Sequence, residues 1–295
     1  HKVPPGRAVG GSGALTGALA ERLRRLGGTV RLGDGATAIT RSGDWVTGVR
    51  TASGDHIGSR AVVAGCHVLT TFELLGDDSL LARARRAVRV GNGIGMAVRL
   101  GTRALPRYPS AAGDEPYSAM QLLATSRQQL RSAYGDYGAG RTPAAPAVLL
   151  MTPSALDPSI APTGRHNVTA WAQWHPYALS TGERWEEIAR READRVVAQV
   201  DRVAPGFSDG IEHVHVQTPP DLETELGLVR GNVMHVEMGL DAMFSYRPLP
   251  ELAGHRTPVR GLFLTGASTH PGGGVFGASG RTAARVVLSQ RRRWR

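Results

Sequence analysis

The residues best suited to chemistry are the last glycines of the chain. Gly272-Gly273-Gly274-Val275-Phe276-Gly277 has the spacing G-x-G-x-x-G. The apolar run Gly261-Leu262-Phe263-Leu264-Thr265 precedes it, and helical spacing from about Ala278 to Ser289 follows. Strand, glycine loop and helix are therefore predicted, an arrangement that brings a ligand against main-chain N–H groups at the positive end of a helix. A complete dinucleotide unit also needs a second parallel strand and an acidic residue about 20 positions on. The sequence stops at Arg295, and Gly266 to Ala278 is longer than the tight turn of such a unit. The pattern thus predicts a lining for an anionic cofactor, not its primary nucleotide site; close packing of a helix on a sheet is the competing explanation. Gly10-Gly11-Ser12-Gly13-Ala14-Leu15-Thr16-Gly17 has its third glycine one residue late and reads as a helix start.

Other reactive side chains are sparse. His270 is the one titratable group expected beside the glycine loop, where bonding to loop carbonyls is favoured over catalysis. His213-Val214-His215 puts two imidazoles on one strand face, half of a metal site, and no cysteine or carboxylate at ligand spacing completes it. No metal is expected. Cys66 is the only cysteine, which excludes an internal disulfide and a multi-thiolate zinc site, and it reads as a small buried side chain. Trp171, Trp174, Tyr177 and Tyr246 are candidates for an apolar cavity or for core.

The 295 residues suggest about two domains. With 41% hydrophobic and 20% charged residues and no apolar run of membrane-spanning length, a soluble globular protein is expected, cytoplasmic or peripheral to a membrane. The formal charge is +10, and Lys2 is the only lysine. Arginine is dispersed along helix faces apart from Arg83-Ala84-Arg85-Arg86 and the tail Arg291-Arg292-Arg293-Trp294-Arg295. That tail could touch an acidic membrane. Nothing resembles a nucleic-acid recognition element, so no nucleic-acid partner is expected. The opening His1-Lys2-Val3-Pro4-Pro5-Gly6 has neither an initiator methionine nor a signal-peptide pattern, and the chain is expected to begin inside a longer gene product.

The elements that position these residues follow from periodicity. Leu15, Leu19, Leu23 and Leu26 form one helical stripe. Strands are expected at Thr29–Leu32, Ala36–Ile39, Trp45–Val49, Ala61–Ala64, Gly93–Leu100, Ala147–Met151, Asn167–Trp174, Ile211–Val216 and Val233–Met238. A helix is expected at Leu80–Arg86. Ser180-Thr181-Gly182-Glu183 fits a capping box before a helix that carries Ile188, Val196, Val197, Val200 and Val203. The stretch Arg103–Pro146 is rich in Pro, Gly, Tyr and Gln and marks a shift in composition, and most of Pro219–Pro250 reads as loop.

The run from Arg256 through Gly261-Leu262-Phe263-Leu264-Thr265-Gly266-Ala267-Ser268-Thr269-His270-Pro271-Gly272 to Val275 resembles the C-terminal signature of phytoene-desaturase-type FAD oxidoreductases. Pro153-Ser154-Ala155-Leu156-Asp157-Pro158, Ala161-Pro162-Thr163-Gly164, Ala204-Pro205-Gly206-Phe207, Pro219-Pro220-Asp221-Leu222-Glu223 and Gly231-Asn232-Val233 resemble the branch of pyridine nucleotide-disulfide oxidoreductase domain-containing proteins. The resemblance implies an α/β (α+β mixed) fold. It implies an incomplete glutathione-reductase-type FAD-binding domain, residues 1–88 and 251–295, with an inserted antiparallel-sheet substrate domain, residues 89–250. It further implies FAD, with Gly266, Ala267, Gly273, Gly274, Val275, Gly277 and Ala278 facing the flavin and its phosphates and Ala36 near the adenine end. The implied reaction is hydride removal from a hydrophobic unsaturated substrate. The family's first βαβ unit is absent from the sequence, so another polypeptide supplying it is an expected partner. A catalytically inactive fragment or a partner-binding module is the competing expectation.

Overall fold

The computed structural model describes residues 6–111, 113–275 and 277–290; the opening residues 1–5, Phe276 of the glycine loop and the Arg291–Arg295 tail lie outside them. In chain order the elements are α1 (Ser12–Arg25), β1 (Ala36–Ser42), β2 (Trp45–Thr51), β3 (His56–Gly58), β4 (Val62–Ala64), α2 (Val68–Leu75), α3 (Asp78–Ala87), β5 (Gly95–Thr102), β6 (Gln121–Leu123), α4 (Arg127–Gly138), β7 (Val148–Met151), β8 (His166–Gln173), α5 (Trp185–Asp201), β9 (Ile211–Gln217), α6 (Pro219–Leu226), β10 (Leu262–Leu264) and α7 (Ala278–Gln290). Helices and sheets are mixed, as expected. The chain divides into two compact units, His1–Val30 with Asn92–Leu222, and Arg31–Gly91 with Glu223–Arg295.

The first unit is built on an antiparallel sheet in the order β6-β7-β8-β5-β9. Its central pair, β5 with β8, is in register from Gly95↔Gln173 to Thr102↔His166. Alternation along the strands puts Met96, Val98, Leu100, Val168, Ala170 and Ala172 on one face with Val148 and Leu150, all buried. Helix α5 covers that face with Trp185, Ile188, Ala193, Val196 and Val200, one helical stripe. Each large apolar side chain buried this way contributes roughly 1.5–3 kcal/mol of transfer free energy. Glu192 is fully buried in α5 and is held by Arg191 at 2.8 Å and Arg195 at 3.0 Å.

The expected capping box does not form. Arg184 stands at the N-cap of α5 without a side-chain cap. Thr181 Oγ1 bonds Glu183 Oε2 at 3.0 Å, and Glu183 Oε1 accepts from Arg191 at 2.6 Å, so the Glu183 carboxylate is taken from outside the helix end. The compositionally distinct stretch before Pro146 contains β6 and α4; Ser126 caps α4 by accepting from Gln129 N at 3.1 Å. Helix α1 forms as predicted but buries no residue, and Leu15, Leu19, Leu23 and Leu26 are all exposed.

The second unit holds the antiparallel meander β1-β2-β3 and the parallel pair β4 with β10. Its core joins Ile39 and Val46 of the meander, Leu262 and Leu264 of β10, and Val68, Phe72 and Leu75 of α2. Residues 223–250, assigned from sequence to the middle segment, pack in this unit, where Val236, Ala242 and Leu249 join the same core. Two expected strands are absent among the described residues. Thr29–Leu32 pairs with no strand, and Leu32 is exposed. Val233–Met238 is irregular because the carbonyls of Met234, Val236 and Glu237 are engaged by the Arg247 guanidinium, not by a neighbouring strand.

Candidate functional site

Strands β4 and β10 run in parallel from Val62↔Leu262 to Ala64↔Leu264 and both leave the sheet through a glycine. Thr265 N donates to Ala64 O at 2.9 Å, so pairing continues to the last residue before Gly266. Gly266 has φ +82, and a Cβ there would lie 2.7 Å from Gly65 O, so only glycine allows the two chains to separate at this point. The Gly266 carbonyl then accepts Thr269 N at 3.1 Å, Thr269 Oγ1 at 2.9 Å and Ser279 Oγ at 3.1 Å. Ser279 lies in the first turn of α7, so this hydrogen bond ties the helix start to the strand end. With its own proton on the Gly266 carbonyl, the Ser279 hydroxyl accepts from Thr265 Oγ1 at 3.3 Å.

Arg247 fixes the other side of the loop. It is fully buried and meets only main-chain carbonyls. Nε and Nη2 donate to Ala267 O at 3.1 and 2.7 Å, and Nη2 donates to Met234 O at 2.7 Å. Nη1 reaches Val236, Glu237 and Ala242 at 3.2, 3.0 and 3.3 Å. Burial weakens its hold on the proton, and five carbonyl dipoles replace water around the cation. A Cβ on Gly272 would stand 3.4 Å from Nε.

A histidine pair completes the support. His67 Nδ1 accepts from Leu69 N at 3.1 Å and caps α2, while Nε2 lies 3.0 Å from the His235 carbonyl; Nε2 therefore carries the proton and the ring is neutral. Burial pushes the pKa of His67 down. His235 is pushed down to about 4 by burial, then by His67 and Arg247. Ser268 Oγ accepts from Val68 N at 3.1 Å and bonds His235 Nδ1 at 3.2 Å.

The sequence-predicted loop residues are brought together in part. Gly266, Ala267 and Gly273 are adjacent, a Cβ on Gly273 falling 3.6 Å from that of Ala267, and Ala278 opens α7 beside Ser279. Among the described residues the main-chain N–H groups of Gly273, Gly274, Val275 and Gly277 donate no hydrogen bond. Val275 is 88% exposed with φ +55, a strained conformation for a β-branched residue. His270 does not make the expected loop bond through Nδ1, which is buried without a partner; its ring lies 5.8 Å from that of Phe244. Ala36 opens β1, paired with Thr51, outside this hydrogen-bonded network.

A second surface is the face of the five-stranded sheet opposite α5. Leu122, Leu149 and Trp171 form one cross-strand row, and Met151, Thr169, Arg99 and His215 form the next. Gly95 makes room for Trp171, because a Cβ would lie 2.7 Å from the indole. Trp171 Nε1 donates to Gln173 Oε1 at 3.0 Å. Trp174 packs edge-on against Tyr134 at 5.7 Å, and Tyr246 is exposed. Cys66 is half-buried, with Sγ 3.3 Å from Thr71 Oγ1. Among the described residues no group of three His, Cys, Asp or Glu side chains could hold a metal, and no helix is long and apolar enough to cross a membrane.

Sequence alone missed Arg247, Ser268, Ser279 and the His67–His235 pair. Apart from Leu69 at His67 and Ala242 at Arg247, their partners lie 10 or more residues away, so no spacing rule marks them.

No protein-family model matches the chain. It is 33% identical over 291 residues to pyridine nucleotide-disulfide oxidoreductase domain-containing protein 2 of Rattus norvegicus, covering 95% of this chain and 50% of the relative. It is 30% identical to phytoene dehydrogenase of Streptomyces griseus, covering 96% and 53% respectively. The chain thus spans about half the length of the curated relatives it matches. In fold it is similar to an oxidoreductase from Methanosarcina mazei, with TM-score 0.58 and 13% identity over 96% of this chain and 55% of that one. It is also similar to cyclohexylamine oxidase from Brevibacterium oxydans, with TM-score 0.51 and 15% identity over 95% and 53%. The C-terminal signature and the curated relatives agree in sequence, and the parallel strand pair and open antiparallel sheet agree in fold: the chain is similar to phytoene-desaturase-type FAD oxidoreductases over about half of their length.

Proposed function

We propose that the chain forms part of the flavin site and the substrate-facing sheet of an FAD-dependent dehydrogenase or desaturase acting on a hydrophobic unsaturated molecule. The observation that carries this reading is the row of N–H groups at Gly273, Gly274, Val275 and Gly277, unpaired among the described residues, ahead of α7. These groups fit an anionic, planar cofactor: they are main-chain donors with little side-chain cover, ahead of a helix N-terminus. In this reading Gly266, Ala267, Gly273, Gly274, Val275, Gly277 and Ala278 hold FAD, and Ala36 lies towards its adenine end. Bound FAD supplies the hydride acceptor. The protein's own contribution is positional. Arg247 and Ser279 hold the loop, while Leu122, Leu149, Met151 and Trp171 offer an apolar surface that excludes water from a lipophilic substrate. Among the described residues no other strand extends the β4–β10 pair, so in this reading further polypeptide supplies a βαβ unit that completes the pyrophosphate site.

The test is anaerobic mixing of FAD-loaded protein with lipophilic polyenes. Bleaching of the flavin bands together with a longer-wavelength product absorbance supports the reading. Bound flavin that no unsaturated substrate bleaches overturns it. One observation favours a second reading, a partner-binding module without activity: the exposed leucine stripe of α1. That reading predicts concentration-dependent association in sedimentation and no flavin retention.

A further inference from the structure

The open sheet face changes character along its length. Its β6–β7 side is apolar, but at β5 and β9 it ends in a cleft of about 570 Å3 lined by Arg99, Asn167, His213 and His215 on the sheet, with Ile160, Pro162, Arg165 and Glu212 among the wall residues. We propose that this cleft binds the carboxylate of an amphipathic monocarboxylic acid, with its aliphatic body against Ile160 and Pro162.

The register builds the head-group end. Arg99 pairs with His215, and Gly101 pairs with His213, so both imidazoles and the guanidinium stand on one face. Gly101 leaves that face open in front of His213, where a Cβ would already touch the ring at 3.4 Å. Neither His213 nor His215 makes a hydrogen bond or ion pair among the described residues, and each can donate one N–H to a carboxylate oxygen. Arg99 contributes the full charge; its one hydrogen bond among the described residues goes to neutral Gln217. The only carboxylate of the cleft, Glu212, is already engaged by Arg165 at 2.5 Å and Arg103 at 3.8 Å, so it does not neutralise Arg99.

The wall argues for the rest of the ligand. Ile160, Ala161, Pro162 and Val214 are apolar, and the volume suits a small molecule, not a bare ion. A dication is excluded by the excess of positive side chains and by the lack of a third ligand. A carboxylate suits one guanidinium and two imidazole donors, which together offer its two oxygens several hydrogen bonds. The cleft's lining includes no residue of the glycine loop, so its binding is tested without flavin.

The test is isothermal titration of the 295-residue chain with decanoate, decanol, decyl phosphate and inorganic phosphate. Decanoate is expected to bind at one site at least tenfold tighter than decanol and than decyl phosphate, with inorganic phosphate giving no saturable heat. Arg99→Met with His213→Ala and His215→Ala is expected to abolish the preference for decanoate over decanol. Glu212→Gln, which keeps the side-chain shape and frees Arg165, is expected to tighten decanoate severalfold, a gain that misfolding would not produce. Equal binding of decanoate and decanol overturns the proposal in favour of unspecific apolar contact. Tighter decyl phosphate identifies a phosphate site and also overturns it. Unchanged decanoate binding in the triple variant, or weaker binding in Glu212→Gln, places the carboxylate elsewhere and does the same.

Discussion

Arg247→Met removes the cation that holds the loop expected to carry the cofactor while keeping a long apolar side chain in its place. The guanidinium makes six hydrogen bonds to five carbonyls, those of Met234, Val236, Glu237, Ala242 and Ala267. A buried acceptor left without a donor costs about 1–3 kcal/mol. Relaxation and water entry rescue some acceptors, and removing a buried cation returns part of its desolvation cost. With two carbonyls left dry, the net local loss is about 3 kcal/mol. Hydrogen exchange reads this directly, because each 1.4 kcal/mol is tenfold in a local opening equilibrium; amides of residues 232–247 and 264–272 should exchange about 100-fold faster in the variant. Arg247→Lys, with a compact head of three donors, should fall between the two. If exchange in both segments changes less than threefold in Arg247→Met, the loop is not held by this residue and the account of its geometry is wrong.

Gly266→Ala forces φ +82 on a residue with a Cβ placed 2.7 Å from Gly65 O; a destabilisation of about 2–3 kcal/mol is expected in urea unfolding, and a loss under 0.5 kcal/mol would contradict the close separation of β4 and β10 at Gly266. His175 is fully buried beside Trp185 with neither ring nitrogen hydrogen-bonded in good geometry, although the Ala172 and Gln173 main chain lies near, and burial pushes its pKa down to about 4. Its native form stays neutral while the unfolded chain takes up a proton below pH 6.5, so stability is full above pH 6.5 and falls by up to about 3 kcal/mol towards pH 4. His175→Leu should flatten that pH dependence in unfolding titrations, and an unchanged slope would show that other groups cause it. Gly95→Ala should displace the Trp171 indole from β5, seen as a shift of tryptophan emission, with no shift if the ring already lies elsewhere.

Most of the sheet scaffold was legible because each strand carries its own pattern. The alternation in Gly95–Thr102 and His166–Gln173 gives the buried face directly, and the run Leu262–Leu264 with the glycines after it predicts the strand, loop and helix found. The His213-Val214-His215 alternation predicts a shared face, but only the pairing with Arg99 and Gly101 shows what that face contains. The misreadings have one physical source: competition from residues distant in sequence. Glu183 fits a capping box until Arg191 claims its carboxylate, and Val233–Met238 has strand composition until Arg247 claims its carbonyls. Helix α4 is masked in the sequence by Gly135, Gly138 and two tyrosines, although Ser126 and Gln129 have the spacing of a capping box. The exposed leucines of α1 show the converse limit, since periodicity predicts a helix without saying what covers it.

The central claim is that the loop from Gly266 to Ala278 receives FAD. Its most direct measurement is a difference absorption titration of FAD into the chain and into Gly273→Ala, where φ is not positive and, among the described residues, an added Cβ meets only the Ala267 Cβ at an ordinary 3.6 Å, so the methyl group adds bulk at the N–H row without backbone strain. A saturable perturbation of the flavin bands by the native chain, weakened about tenfold in the variant, a difference of ~1.4 kcal/mol, is the predicted result. No saturable perturbation, or one that is equal in both proteins, would contradict it.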